Sequence, residues 1–368
     1  MRILSISNTP HDPSQGSGYV ITGYVEGLRD HGHRVDAFGP SDWRVWDVRR
    51  GRRYLYPLMI AGFGLRRFLE EKYDLVKLWG GVTWLLALLI RGIAPDATII
   101  HHSNGIEQHR LEVERQSPVG PLQNTQWFQL DLSPLFDWGL RKADAIVTVS
   151  SYDLPYLTER EYVLKERQFA IENPLPDLFL DQEICYERPR RIGFCGSWIP
   201  IKAPPVLVND MARFLRRHPD WTFSVVGVGD TDVANAFPVE VREQIAVTPF
   251  LDREDLVDWY HSLAIFTLPS VYESFGLVMA EAMACGAALV ATNVGYAHGL
   301  EHKREAMILP EAESPRLYEA LTTLANDDSL RHRIAQKGYE SVQELEWSAA
   351  VKRLEEICRV VSSRNIEV

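Results

Sequence analysis

Two successive series of short β-branched runs, each run followed by amphipathic helical periodicity, constrain the fold of this chain more than any other feature. The first series predicts strands at residues 2–7, 34–38, 75–78, 98–101, 145–149 and 169–171, with a helix at 19–31. The second predicts strands at 191–195, 222–226, 245–247, 265–268 and 288–292. Strands that alternate with helices pair in parallel, because each helix must carry the chain back across the sheet. Each series therefore specifies its own doubly wound α/β sheet, and 368 residues leave room for two cores of ordinary size. Three prolines (Pro174, Pro176 and Pro189) without clear periodicity mark the connector, which gives domains at 1–178 and 186–345. A further helical, amphipathic stretch runs over about 331–359.

Composition excludes several classes. A net charge of −11 and no aromatic–basic platform argue against a nucleic-acid binder. By count, residues 1–180 carry about −2 of that charge and the remainder about −9, so the first half is relatively basic. The four cysteines lack metal-ligand spacing and read as reduced thiols of a cytoplasmic protein. No His-Glu-x-x-His or similar pattern occurs among the eleven histidines, so no metal and no other cofactor is expected. The longest uncharged apolar runs, 54–65 and 80–90, are well short of the ~20 residues that span a bilayer.

Chemistry concentrates in residues 268–286, LPSVYESFGLVMAEAMACG. The segment reads as a strand end, a loop opening at Phe275, Gly276 and Leu277, and then a helix. Free backbone amides and the positive end of a helix dipole favour an anion. Glu273 and Glu281 accept hydrogen bonds from hydroxyls. Glu281 interrupts an otherwise apolar run, and a carboxylate placed there needs a partner. Hydroxyl-binding acids beside an anion-binding helix start suit a nucleotide-sugar. The plain alternative is a strand-turn-helix with two solvated acids.

The spacing and surroundings of these acids resemble the family-4 retaining glycosyltransferases, whose hallmark is Glu-x7-Glu in this context. That resemblance implies the GT-B fold, two Rossmann-like domains facing a central cleft, with residues 346–368 as a terminal helix crossing back to the first domain. It implies that Glu281 binds the nucleotide ribose and that Glu273 binds the donor sugar. The backbone of Phe275, Gly276, Leu277 and Val278, with Ser274 beside them, would hold the sugar and diphosphate. The base would lie near Phe250 and Leu251.

Other segments are read against the same pattern. In residues 194–202, FCGSWIPIK, Lys202 fits the lysine that faces the diphosphate, while Ser197 stands where an arginine is usual and Ala203 where a glycine is usual. A serine cannot replace the bidentate donor of an arginine. Gly16 and Gly18, between the first strand and first helix, would let backbone approach the donor diphosphate or the acceptor closely. In residues 101–107, HHSNGIE, one register puts Asn104 at the family's histidine position and His102 at its arginine. Another makes His101 or His102 the histidine near the reacting sugar. Asp230 and Asp232 imitate a metal-binding Asp-x-Asp, but they follow VVGVG and read as a turn with an Asp cap. The basic segment near Arg49–Arg53 suits an anionic membrane surface, an anionic acceptor or a plain solvated face.

The resemblance implies a metal-independent transferase moving a sugar from a nucleotide-diphosphate donor to a saccharide or lipid-linked acceptor, in polysaccharide or glycolipid assembly. Lys202, Glu273, His102 and Asn104 would be its catalytic residues. It would be cytoplasmic and able to touch the inner membrane face. The alternatives are a GT-B phosphorylase or epimerase, or a non-catalytic carbohydrate-binding protein.

Overall fold

The computed structural model describes residues 1–13, 16–43, 52–117 and 133–363. Its strands are β1 (Arg2–Ser7), β2 (Arg34–Phe38), β3 (Leu75–Trp79), β4 (Ile99–Ser103), β5 (Ala145–Thr148) and β6 (Gln168–Ala170), then β7 (Arg191–Cys195), β8 (Thr222–Val226), β9 (Ile245–Thr248), β10 (Ile265–Leu268), β11 (Ala288–Thr292) and β12 (Met307–Leu309). They form two six-stranded sheets, in the orders β2-β1-β3-β4-β5-β6 and β12-β11-β10-β7-β8-β9. Every pairing within them is parallel. The chain divides into two compact units, one sheet in each.

Burial on both faces explains the apolar runs. β3, β4, β10 and β11 are buried along their whole length. In the first unit Leu4, Ile6, Val76, Leu78 and Ile99 pack against Ile60, Leu86 and Ile90, which come from the helices Arg52–Glu70 and Trp84–Ile93. Burying one such side chain stabilises by about 1.5–3 kcal/mol.

The last helix, Trp347–Ser363, belongs to the first unit. It packs on the helix Gly16–Asp30, where glycines permit a close approach. A Cβ at Gly23 would lie 2.1 Å from the Trp347 ring, and one at Gly27 2.4 Å from Val351. Trp347 Nε1 donates to the Tyr19 hydroxyl at 2.6 Å. The Glu355 carboxylate sits 3.2 Å from His31 Nδ1 and 3.0 Å from His33 Nε2.

Three features depart from the sequence expectation. β4 runs on to Ser103, so both histidines and the serine lie inside a buried strand. β12 was not anticipated. It is a three-residue edge strand, too short for a periodic signal. The single stretch expected at 331–359 is two helices, Asp328–Val342 and Trp347–Ser363. The break is fixed by Leu345, whose N–H bonds Val342 O and whose carbonyl accepts the Leu175 N–H at 2.8 Å. No helix among the described residues is long and apolar enough to cross a membrane.

Candidate functional site

In the second sheet the strand order reverses between β7 and β10, which are neighbours. In doubly wound sheets, ligands bind outside the carboxyl ends of the strands at such a switch point. The loop after β7 carries Ser197 and Lys202, and the loop after β10 carries Ser270 and Glu273. The two loops are stitched together by the Val271 N–H, which donates to Ile201 O at 2.8 Å.

Lys202 Nζ forms an ion pair with Glu273 Oε1. The Ser270 hydroxyl donates to that same oxygen at 2.6 Å. Both charged side chains are largely shielded, at 16% and 11% exposure, yet each retains a solvent-facing part. Lys202 is followed by Ala203 in the left-handed region, at φ 51° and ψ 54°. An alanine there is strained, which accounts physically for the glycine expected at this position.

Glu273 leads into the helix Leu277–Ala284, whose N-cap Gly276 has φ 82°. A side chain at Gly295 would fall 2.5 Å from Phe275 O and 2.9 Å from Glu273 Cβ, so that position requires a glycine. The Tyr296 N–H donates to Phe275 O at 2.8 Å and holds the loop. The first amides of a helix lack intrahelical acceptors as a rule and favour an anion. Here the Met279 N–H is taken up by Gly276 O at 2.8 Å, which puts the weight on Leu277 and Val278. Phe275 is buried, whereas Ser274, Leu277 and Val278 are partly exposed.

One helical turn further on, Glu281 accepts a hydrogen bond from the Tyr260 hydroxyl at 3.0 Å. Apolar surroundings push its carboxyl up to about 7. Burial and the neighbouring Glu281 also raise the thiols of Cys195 and Cys285, each to about 12. Ser197 is exposed. Phe250 is 77% exposed just past β9, and Leu251 is partly exposed beside it. The Asp232 carboxylate accepts from the Asn235 N–H at 3.3 Å and closes a turn. Among the described residues no group of three or more His, Cys, Asp or Glu side chains could hold a metal ion.

In the first unit, Gly16 opens the helix Gly16–Asp30 and is exposed. Gly18 is buried, and a Cβ there would lie 2.3 Å from Asp12 O and 2.8 Å from Pro10 O, so its missing side chain makes room for its own loop. His102 is fully buried and stacks on Trp79, with ring centroids 4.2 Å apart. Burial holds its imidazole well below the ordinary range. His101 is also buried, with Nε2 3.2 Å from Gly80 O and a pKa pushed down to about 4. Asn104, in contrast, is partly exposed, on a turn braced by the Gly105 N–H donating to Ser103 Oγ at 3.2 Å. Of the two first-unit residues expected to be catalytic, Asn104 is partly exposed although its Oδ1 is buried without a hydrogen-bond partner, and His102 is fully buried. Of the basic segment, Arg49 and Arg50 lie outside the described residues, and Arg52 and Arg53 open the helix Arg52–Glu70.

Two family profiles match consecutive parts of the chain. "Glycosyltransferase Family 4" covers residues 14–174 and "Glycosyl transferases group 1" covers residues 189–327. The chain belongs to the family-4 glycosyltransferases. It is 31% identical over 187 residues to a D-inositol 3-phosphate glycosyltransferase of Corynebacterium glutamicum, a match covering 48% of this chain and 45% of that protein. The chain thus spans about half the length of the curated relatives it matches. Solved structures share its fold over nearly the whole length. Sucrose-phosphate synthase of Thermosynechococcus elongatus superposes with a TM-score of 0.74 at 20% identity, covering 99% of this chain and all of that one. Anabaena Alr3699/HepE in complex with UDP-glucose gives 0.68 at 16% identity, with 99% and 100% coverage. Both likenesses establish the two-unit GT-B architecture.

The structure of this family-4 chain also contains groups that sequence reading passed over. Tyr260 is fully buried and supplies the partner that Glu281 needed; only its tertiary position reveals it. Lys77, in the middle of β3, is buried with its Nζ 4.0 Å from the Trp79 ring centroid and 4.6 Å from that of Tyr24. His109 Nδ1 lies 2.6 Å from the buried Asp153 carboxylate, and its ring stacks on Tyr156. Ser270 was visible as the serine of the Pro-Ser pair that opens the motif.

Proposed function

We propose that the chain transfers a sugar from a nucleotide-diphosphate donor to a hydroxyl acceptor with retention of configuration and without a metal ion. The observation that carries this reading is the grouping of Lys202, Glu273 and Ser270 at the switch point beside the amide-bearing start of the helix Leu277–Ala284. Cation and amides suit the diphosphate, and the carboxylate suits sugar hydroxyls. Glu281 receives the ribose, and the exposed Phe250 and Leu251 lie beside the base. No side chain is needed as a covalent nucleophile. The acceptor attacks from the face that the diphosphate leaves, and the leaving phosphate oxygen takes the acceptor proton. Lys202 and the helix dipole stabilise the charge that develops there. The acceptor, a saccharide or a lipid-linked saccharide, is recognised by first-unit residues including Asn104. The product on this reading is a polysaccharide or glycolipid intermediate, which family membership supports.

The UDP-glucose complex of Alr3699/HepE puts uridine donors first in the tests. Proton NMR of donor consumption, with water as acceptor, reads the anomer released before mutarotation. Retention predicts the α anomer first from an α-linked donor, at a rate unchanged by EDTA. Initial release of the β anomer, or loss of turnover on chelation, contradicts the mechanism. A peripheral membrane contact is part of the same proposal. Leu55 and Leu58 are 46% and 58% exposed on the helix that begins at Arg52. Co-sedimentation with anionic but not zwitterionic vesicles is expected, and equal recovery with both argues against an electrostatic contact.

A further inference from the structure

One carboxylate oxygen of this site does two jobs. Glu273 Oε1 pairs with Lys202 Nζ and accepts the Ser270 hydroxyl at 2.6 Å. The proposed function asks the same lysine to serve a diphosphate and the same carboxylate to serve a sugar. Both cannot be served while the two side chains hold each other. We propose that Lys202 and Glu273 form an exchange pair that makes the site favour the intact nucleotide-sugar over the nucleoside diphosphate product, with Ser270 as the positioning residue that keeps Glu273 in place during the exchange.

The chemistry follows from what each ligand can return. A diphosphate draws Lys202 away from Glu273 and leaves a shielded carboxylate short of one donor. A free nucleoside diphosphate offers that carboxylate nothing in exchange. A nucleotide-sugar delivers hydroxyl donors to the same carboxylate, so the loss is repaired within one binding event. Ser270 is buried beneath the pair and fixed from both sides, since its carbonyl accepts the Thr292 hydroxyl at 2.5 Å. It therefore holds Oε1 while Lys202 turns, and Oε2 is left for the sugar. After transfer the sugar is gone, Glu273 again lacks a donor, and Lys202 is recovered from the product. The exchange pair thereby speeds product release.

This inference rests on the donor-site reading, and calorimetry on the full chain separates the two. UDP, GDP, ADP and dTDP are titrated beside their common sugar conjugates, into wild type, Glu273→Gln and Ser270→Ala. Wild type is expected to bind one nucleotide-sugar about tenfold or more tightly than its free diphosphate. In Glu273→Gln, Lys202 is released, so the free diphosphate tightens several-fold while the sugar conjugate does not, and the preference collapses. Ser270→Ala weakens the sugar conjugate and leaves the free diphosphate unchanged, and Ser270→Thr restores the preference. A structural role alone would weaken both ligands together. Binding by wild type with an unchanged ratio in Glu273→Gln overturns the exchange pair and leaves the donor site standing. No binding by any nucleotide overturns the donor site and the exchange pair together.

Discussion

The second unit and the first each hold a lysine in an unusual place, and they treat it in opposite ways. Lys202 stands at the carboxyl edge of its sheet, paired with Glu273 and partly open to solvent. Lys77 sits in the centre of its sheet, 2% exposed, with no hydrogen-bond partner for its Nζ, which lies over the faces of Trp79 and Tyr24 and near His102 and Cys358. Ring faces offset part of the cost of burying a cation. They do not replace a carboxylate, and burial pushes the Lys77 ammonium down to about 7. The contrast separates a site from a core. Charges that can exchange partners lie at a strand end, where a ligand can reach them, whereas a charge locked among rings acts only on stability.

The largest expected effect is on the paired lysine. Lys202→Ala removes the cation proposed to meet the leaving diphosphate and should lower kcat about 10²–10³-fold, as loss of a transition-state donor does. Initial rates on saturating donor check this, and a rate within a few-fold of wild type would remove Lys202 from the chemistry.

The buried lysine predicts a pH effect instead. Its folded value lies below the ordinary 10.5, so from pH 10.5 down to about 7 the unfolded chain takes a proton that the folded chain refuses. Stability of the first unit should therefore fall by about 1.4 kcal/mol per pH unit on acidification through that window, and level off below pH 7. Lys77→Met should flatten the profile and raise stability at pH 7. Denaturant melts at pH 7, 8 and 9 test the slope, and parallel profiles for the two proteins would contradict it.

Glu281 gives an effect of the same sense over a lower and narrower pH window, read in binding rather than in stability. Its carboxyl is protonated below about 7, and a ribose hydroxyl needs the carboxylate. Nucleotide affinity should rise by up to about tenfold per pH unit as pH climbs towards 7, then hold steady. Glu281→Gln should bind weakly at every pH without that rise. A wild-type affinity that is flat from pH 5.5 to 8 would place the ribose elsewhere. The smallest change concerns backbone strain beside Lys202. Ala203→Gly relieves an alanine held at φ 51° and should raise stability of the second unit by up to about 1 kcal/mol, read by thermal melting. A lower Tm would mean that the lost methyl packing outweighs the strain.

How much could be read beforehand follows the same division. The strand series were legible because buried parallel strands are apolar along their length, and β1, β2, β7, β8, β10 and β11 begin and end where their β-branched runs do. The segment 268–286 was legible because a carboxylate inside an apolar helical run is costly unless something pairs with it. What stayed hidden depends on which way a side chain faces. His102 and Asn104 are two residues apart, yet one closes the core and the other tops a turn, a difference set by where β4 ends. Gly18 looked like a ligand contact and packs against its own loop. Tyr260 lies 21 positions before Glu281, and no local spacing links them.

The measurement closest to the central claim is a thermal-shift screen of wild type and Glu281→Ala with UDP, GDP, ADP, dTDP and their sugar conjugates. The account predicts that one nucleotide series raises the Tm of wild type and fails to raise that of Glu281→Ala. Stabilisation of both proteins to the same extent, or of neither by any nucleotide, would contradict a donor site built around the helix Leu277–Ala284.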